Sequence, residues 1–209
     1  MTNFIFDGKN VSMKIGPDSA PKNQGVFIPP VKKIVYDIPN YKNNPLLFQK
    51  TKPCDLNDAF KMRELTETLI DTVQYHKGLG LAANQVGFDL SAFVINYNNE
   101  IYLFYNPELR ILTDRKIKLE EGCLSYPNIF ANVERFDDIE LKWLTFQGET
   151  AKMQFNGYIS RIIQHEFSHL QGKSFLYGKS RLELEMILKK CRKNYSCTAT
   201  VGDLIPSTF

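Results

Sequence analysis

The chain has 209 residues, of which 43% are hydrophobic and 23% are charged, and its net charge is +3. This length fits one domain of about 100–200 residues with extensions, and the hydrophobic fraction excludes a disordered chain. The near balance of charge does not by itself indicate a nucleic acid or a membrane as partner. No apolar run approaches the roughly 20 residues of a membrane span, and the first residues show no targeting pattern. We therefore expect a cytoplasmic protein without membrane contact.

The first part of the chain is predicted to be an extension followed by a helix. Glycine and proline recur in residues 1–31 with little periodicity, which is typical of an irregular segment. Apolar residues at helical spacing predict a helix over residues 57–76. Asn57 or Asp58 can cap its start, and Gly78 lies where glycine commonly ends a helix.

The middle of the chain is predicted to be rich in β-strands, and two helices follow it. Residues 78–87 contain too much glycine and alanine for a plain strand. Alternating apolar residues predict five strands, the first two joined by a turn at Asn98 and Asn99. These strands cover residues 92–96, 101–107, 116–121, 128–134 and 138–146. Helices are predicted over residues 158–171, ending before Gly172, and over the basic segment 179–193; the end of the chain reads as irregular. Strands grouped before late helices favour an α+β fold.

Two of the three histidines lie in the pentapeptide His165-Glu166-Phe167-Ser168-His169. Positions i and i+4 share a helix face, so both imidazoles can reach one metal ion. Glu166 is then close enough to exchange a proton with a water molecule at that metal. The alternative is a pair of ordinary histidines on a structural helix.

A catalytic metal needs a third protein ligand and an open position. His76 is more typical of a solvated helix end, and Glu183 or Glu185 of solvated charges on the basic helix. Cys123 is the stronger candidate, because it follows Gly122 and because a thiolate beside a dication binds tightly. Spacing alone leaves a buried structural cysteine equally open.

Three segments of the chain read GLGLAANQ over residues 78–85, EGCLS over 121–125 and QHEFSHL over 164–170. Taken together and in this order, they resemble the motifs of peptide deformylases, and the similarity covers roughly residues 33–193. The resemblance implies a small α+β domain in which the metal-binding H-E-x-x-H helix packs against antiparallel β-sheets, with a C-terminal helix. It divides the chain into an N-terminal extension, a catalytic domain and a C-terminal tail, over residues 1–31, 32–195 and 196–209.

The resemblance also implies the metal site and the substrate. Cys123, His165 and His169 would hold one divalent metal ion, with water in the fourth position. Fe(II) is the expected physiological metal, and Zn, Ni or Co could replace it, since a site with one thiolate and two imidazoles suits several metals. The substrate would be a nascent peptide that begins with N-formylmethionine, and formate would be released.

The same resemblance assigns the remaining catalytic roles. Glu166 would take a proton from water and give it to the leaving amine. The Gln85 side-chain amide and the Leu124 backbone N–H would donate hydrogen bonds to the oxyanion that develops.

Substrate-binding residues follow from the glycine-rich motifs. The backbone around Gly80 and Gly122 could pair with an extended peptide as an added strand. Leu79, Tyr158 and Ile162 would form the pocket for the methionine side chain, although ordinary core packing is the alternative for Ile162.

Three positions bear on how closely the chain follows the family. Ser168 stands where the family usually has Asp, so a charge that orients neighbouring groups is missing. Phe130 replaces an Arg that some members carry. Arg135 matches a family-like position and would brace the site, with an ordinary surface arginine on a strand as the alternative.

The basic helix over residues 179–193 has two interpretations. It holds six Lys or Arg and two Glu, so it is either a solvated face that packs through Leu182, Met186 and Ile187, or a contact with ribosomal RNA. We expect no sequence-specific nucleic-acid binding. Two other functions stay open: a metallo-endopeptidase that needs no cysteine ligand, and a non-catalytic binding module.

Overall fold

The computed structural model describes residues 5–6, 11–12, 45–98, 100–195 and 197–204. The predicted extension 1–31 lies outside the described residues, except for two short strands that pair with each other. The strands are β1 (Ile5–Phe6), β2 (Val11–Ser12), β3 (Gly80–Ala82), β4 (Ala92–Tyr97), β5 (Glu100–Ile111), β6 (Lys116–Cys123), β7 (Tyr126–Phe136), β8 (Ile139–Leu144) and β9 (Thr150–Phe155). The helices are α1 (Ala59–Tyr75), α2 (Gly157–Leu170), α3 (Arg181–Asn194) and α4 (Val201–Leu204), with short 3-10 helices at Pro45–Phe48 and Ala83–Val86.

A five-stranded antiparallel sheet lies at the centre of the described chain, in the order β3-β4-β5-β8-β9. The β4–β5 hairpin closes at the pair Tyr97 and Glu100, and Asn98 adopts a left-handed conformation with φ 53° in its turn. Helices combined with antiparallel sheets confirm the predicted α+β class. Within the described ranges, no helix is long and apolar enough to cross a membrane.

Side chains of the central sheet alternate between its two faces, and each face packs against a helix. Val94 of β4 packs in the cluster that contains Leu65 and Leu69 of α1. Its neighbour Phe93 packs in a second cluster with Ile163 of α2. The sheet therefore separates α1 from α2.

A separate hairpin, β6–β7, lies beside α2 and carries the cysteine of the second motif. Cys123 is the last residue of β6 and pairs with Tyr126 across a register shift. Tyr126 and Ile129 of this hairpin pack in a third cluster with Leu184 and Leu188 of α3. The hairpin is thus held between α2 and α3.

The ends of the predicted helices agree with the structure in most respects. Asp58 caps α1, since its side chain accepts a hydrogen bond from the Lys61 N–H at 3.1 Å. Gly172 takes φ 69° just after α2, as expected of a glycine that ends a helix. Helix α1 ends before Gly78 as predicted, and the Gly78 N–H donates to the Val73 carbonyl at 2.9 Å. The left-handed residue at this end is Lys77, with φ 53°, and not the glycine.

Three further expectations are corrected. Strand β9 was not predicted, and residues 201–204 of the predicted irregular tail form α4, with Leu204 buried. Leu182, Met186 and Ile187 were expected to dock α3 on the domain. Ile187 packs against the third cluster, but Leu182 and Met186 are 68% and 64% exposed. The other stripe of α3, which includes Leu184 and Leu188, is buried instead.

Candidate metal centre

Three potential ligand side chains from two separate elements meet beside the central sheet. His165 and His169 lie one turn apart on α2, and Cys123 lies at the end of β6. The ligand atoms of all three residues lie within 4.8 Å of one another, and Cys123 Sγ is 3.3 Å from His169 Nε2. One thiol and two imidazoles at this separation form a donor set suited to a divalent transition metal.

The other candidate third ligands do not join this group in the part of the chain that the structure describes. Glu183 accepts hydrogen bonds from Ser180 at the start of α3. Glu185 forms an exposed ion pair with Arg181. His76 follows α1 and lies in the wall of a cleft that opens beside the three ligand side chains.

The orientation of His165 depends on Glu121, a residue to which the sequence assigned no role. His165 Nδ1 donates to Glu121 Oε2 at 2.9 Å. Burial alone would raise the pKa of Glu121, but hydrogen bonds from His165 and Arg135 hold it well below its usual range. The charged carboxylate fixes the proton on Nδ1 and leaves the Nε2 lone pair of His165 available as a ligand.

Glu166 is buried beside the three ligand side chains. Its Oε2 has no hydrogen-bond partner among the described residues. Burial raises the pKa of Glu166, the positive charge of Arg135 opposes this and the negative charge of Glu121 adds to it. A Cβ atom on Gly80 would lie 2.7 Å from Glu166 Cδ, so the glycine makes room for this carboxyl group.

The Gln85 side chain has a fixed orientation. Its Oε1 accepts from the Ala82 N–H at 2.8 Å, while its Nε2 donates to Ser125 Oγ at 3.0 Å and approaches Cys123 Sγ at 3.5 Å. The amide N–H groups therefore face the cysteine, where an oxyanion donor is needed. Ser125 is a second residue whose part in the site the sequence did not reveal.

A cleft of about 600 Å³ opens beside the ligand group. Leu79 and Tyr158 are about half exposed in its wall, whereas Ile162 is 6% exposed. His169 is almost fully buried. The predicted site residues in the cleft wall are Leu79, Gly80, Gln85, Gly122, Cys123, Leu124, Tyr158, Ile162, His165 and Glu166.

Arg135, Ser168 and Phe130, the three positions compared with the family, each contact another residue near the ligand group. Arg135 Nη1 donates to Ser168 Oγ at 2.9 Å, and Ser168 Oγ donates to the Gln164 carbonyl at 2.6 Å. Ser168 thus contacts Arg135 without a charge of its own. Phe130 covers Gly122, where a Cβ atom would lie 2.8 Å from Phe130 Cε1.

Comparison with known proteins gives one consistent family. The sequence model of the family described as Polypeptide deformylase matches residues 35–184. The peptide deformylase of Mesorhizobium japonicum is 35% identical over 155 residues, covering 72% of this chain and 88% of the relative. That of Pelagibacter ubique is 36% identical over 155 residues, covering 72% and 90%.

Solved structures agree with the sequence relatives. The crystal structure of peptide deformylase from Thermotoga maritima has a TM-score of 0.63 at 33% identity, covering 68% of this chain and 94% of that one. A peptide deformylase from Synechococcus elongatus in complex with actinonin has a TM-score of 0.68 at 27% identity, covering 87% and 93%. Both the sequence and the fold show that this chain belongs to the peptide deformylase family.

Proposed function

We propose that this protein is a metal-dependent hydrolase that removes the N-formyl group from the formylmethionine of nascent polypeptides and releases formate. The meeting of Cys123, His165 and His169 beside Glu166 carries this proposal. Membership of the peptide deformylase family supports the same reaction. Because nascent chains are the substrates, we propose that the enzyme acts in the cytoplasm.

A divalent metal ion fits the donor set of Cys123, His165 and His169. Burial raises the pKa of the Cys123 thiol, and the negative charge of Glu166 raises it further. A dication offsets both effects because it stabilises the thiolate directly. We propose Fe(II) as the physiological metal, with Zn, Ni and Co as substitutes. An ion held by these three residues would supply the activation that turns water into a nucleophile for the formyl carbon.

Glu166 moves the proton in this mechanism. Its buried carboxyl group lies in the cleft wall, one residue after His165. The carboxylate accepts a proton from the attacking water. It then donates that proton to the nitrogen of the leaving methionine.

Two donors stabilise the negative charge that forms on the formyl oxygen. The Gln85 amide faces Cys123 and is held by Ala82 and Ser125. The backbone N–H of Leu124, next to the cysteine, is the second donor that we propose. Donors that are already in place need no reorganisation during the reaction.

The cleft accommodates an extended peptide. The backbone at Gly80 and Gly122 is the proposed pairing edge, which reads little side-chain identity. Leu79, Tyr158 and Ile162 form the proposed methionine pocket. Such a site accepts most chains that begin with formylmethionine.

We further propose that residues 32–195 form the catalytic domain, residues 1–31 an extension and residues 196–209 a tail. The family match, over residues 35–184, supports a start of the catalytic domain near residue 32. The basic face of α3 is the proposed ribosome contact. Deleting the helix would remove the buried Leu184 and Leu188, so a surface change is the better test.

Replacing the exposed Lys189 and Lys193 with Glu tests that contact. The double variant should co-sediment with ribosomes less than the wild type, and the difference should shrink at higher salt. Its activity on a short peptide should not change. Equal co-sedimentation of the two proteins at low salt would rule out α3 as the contact.

Formate release from formyl-Met-Ala-Ser tests the reaction itself. Protein prepared without oxygen should release formate when loaded with Fe(II), Ni, Co or Zn. Absence of release with every metal would overturn the proposal. A Cys123→Ala protein that keeps its metal and cleaves internal peptide bonds would indicate an endopeptidase instead.

A further inference from the structure

Arg161 lies one helical turn before His165 on α2 and is almost completely buried. Its Nη1 donates to Glu121 Oε1 at 2.6 Å and to the Val133 carbonyl at 3.0 Å. Its Nη2 donates to the Ile117 carbonyl. One guanidinium group therefore contacts both strands of the β6–β7 hairpin from the helix.

The hairpin and the helix carry different ligands of the proposed metal site. Cys123 ends β6, whereas His165 and His169 belong to α2. The distance between thiol and imidazoles consequently depends on how firmly the two elements are joined. An error of 1 Å at such a site is enough to weaken its function.

Arg161 joins the helix to the main chain of the strand that carries the cysteine, which Ser160 and Gln164 do not. Ser160 and Gln164, also on α2, hydrogen-bond to Phe136 at the far end of β7. Arg161 reaches the main chain of β6 at Ile117 and the Glu121 side chain two residues before Cys123. It also holds the carboxylate that orients His165.

We propose that Arg161 is a positioning residue that fixes the Cys123 thiolate relative to the two imidazole ligands and thereby sets the metal affinity of the site. This inference rests on the proposed metal site. The planar guanidinium group is essential, because it directs several N–H donors at fixed angles to separate acceptors. A lysine keeps the charge but presents a compact ammonium group that cannot match this geometry.

Titration of the metal-free protein with Co(II) tests the role without measuring turnover. Arg161→Lys should raise the Kd for Co(II) by about 10–100-fold, the range typical of residues that support metal ligands. The thiolate-to-cobalt charge-transfer absorption should also shift or weaken. Arg181→Lys is the matched control, since Arg181 is exposed and pairs with Glu185 on the same helix. The Arg181→Lys variant should have the same Kd for Co(II) and the same absorption spectrum as the wild type.

A second variant separates positioning from general support of the fold. Arg161→Ala should bind Co(II) weakly, and millimolar guanidinium should restore binding and the absorption band, whereas methylammonium should not. Loss of the wild-type near-UV circular dichroism in both metal-free variants would contradict the proposal, because Arg161 would then support the whole fold.

The Co(II) titration distinguishes an absent metal site from an absent role of Arg161. Wild-type protein that binds Co(II) without a thiolate band would overturn the proposed metal site. Wild-type protein with that band, together with an Arg161→Lys variant of identical affinity and spectrum, would overturn only the role of Arg161.

Discussion

Two buried carboxyl groups lie beside the three ligand side chains, and their surroundings shift their pKa values in opposite directions. Hydrogen bonds from His165 and Arg135 overcome burial and lower the pKa of Glu121. Burial raises the pKa of Glu166, whose Oε2 has no partner among the described residues. The first carboxyl group therefore stays charged and orients a ligand, while the second can take up and release a proton.

Glu121→Gln should destabilise the metal-free protein by about 3–5 kcal/mol at neutral pH, because it leaves buried guanidinium groups without their carboxylate. A group whose folded-state pKa is lowered contributes stability above its unfolded pKa and loses it as the pH falls. The difference between wild type and variant should therefore shrink below about pH 4.5, the ordinary value for this carboxyl. Urea unfolding of the wild type and the variant between pH 7 and pH 3 measures this difference in the free energy of unfolding.

Glu120→Gln is the control for this prediction. Glu120 is exposed and pairs with Lys190, so its loss should cost less than about 1 kcal/mol. A Glu121→Gln difference that stays constant from pH 7 to pH 3 would contradict the role given to that carboxylate.

Gly80→Ala should lower kcat about 100-fold while metal content stays unchanged. The new Cβ atom would lie 2.7 Å from Glu166 Cδ and displace the carboxyl group, and small displacements of a catalytic group have effects of this size. Gly202→Ala serves as control, because its nearest neighbour would be Thr200 Oγ1 at 3.8 Å. Equal kcat values for Gly80→Ala and wild type would show that Glu166 does not need this space.

The sequence identified the reactive side chains and one residue that supports them, Arg135, but it assigned no role to Glu121 or Ser125. His165, Glu166 and His169 lie in one pentapeptide, so helical spacing alone predicts their common face. Glu121 and Ser125 act across distances of 44 and 40 residues in the chain. Such contacts follow from the pairing of separate elements and leave no local pattern.

At the scale of elements, α3 shows why a helical pattern can indicate the wrong face. Leu182 and Met186 form one i, i+4 apolar pair, and Leu184 and Leu188 form another on a different side. Both pairs satisfy the same spacing rule. Packing against the β6–β7 hairpin selects the second pair, and Leu182 is left 68% exposed.

Leu188→Ala and Leu182→Ala should therefore differ strongly in their effect on stability. Leu188 is buried, so its truncation should lower the free energy of unfolding by about 2–5 kcal/mol. Leu182→Ala should change it by less than about 0.5 kcal/mol. Chemical denaturation of both variants measures this, and a larger loss for Leu182→Ala would refute the observed packing of α3.

Strand β9 is a second element for which the sequence pattern was not sufficient, since it was not predicted at all. Its residues Thr150–Phe155 bury Phe155 alone, because β9 is the edge strand of the sheet next to β8. The weak apolar alternation follows from that position. Strand β4 and the first part of β5 were predicted because their buried apolar runs are strong, whereas the more exposed end of β5, as far as Ile111, was not.

On the scale of the whole molecule, the site lies where α2 separates the central sheet from the β6–β7 hairpin. One side of α2 packs against the sheet through Ile163. On another side of α2, the hairpin places Cys123 beside His165 and His169. Residues from two elements must therefore meet before a metal can bind with three protein ligands. The family resemblance predicted this meeting, whereas spacing alone left Cys123 undecided.

Metal binding should accordingly stabilise the whole fold. A ligand that binds the native state at 100 times its Kd adds about 2.7 kcal/mol to the free energy of unfolding. Metal-loaded protein should unfold at higher denaturant concentration than chelator-treated protein, and Cys123→Ala should reduce this difference at the same metal concentration. An equal difference in the Cys123→Ala variant would exclude the cysteine as a ligand.

Metal content and formate release, measured for the wild type and for Glu166→Ala, show whether Glu166 moves the proton in this reaction. The variant keeps all three proposed ligands, so it should bind one metal ion per chain as the wild type does. Its turnover of formyl-Met-Ala-Ser should fall by about 10²–10⁴-fold, the usual contribution of a general acid–base group. A Glu166→Ala protein with full metal content and wild-type turnover would contradict the account.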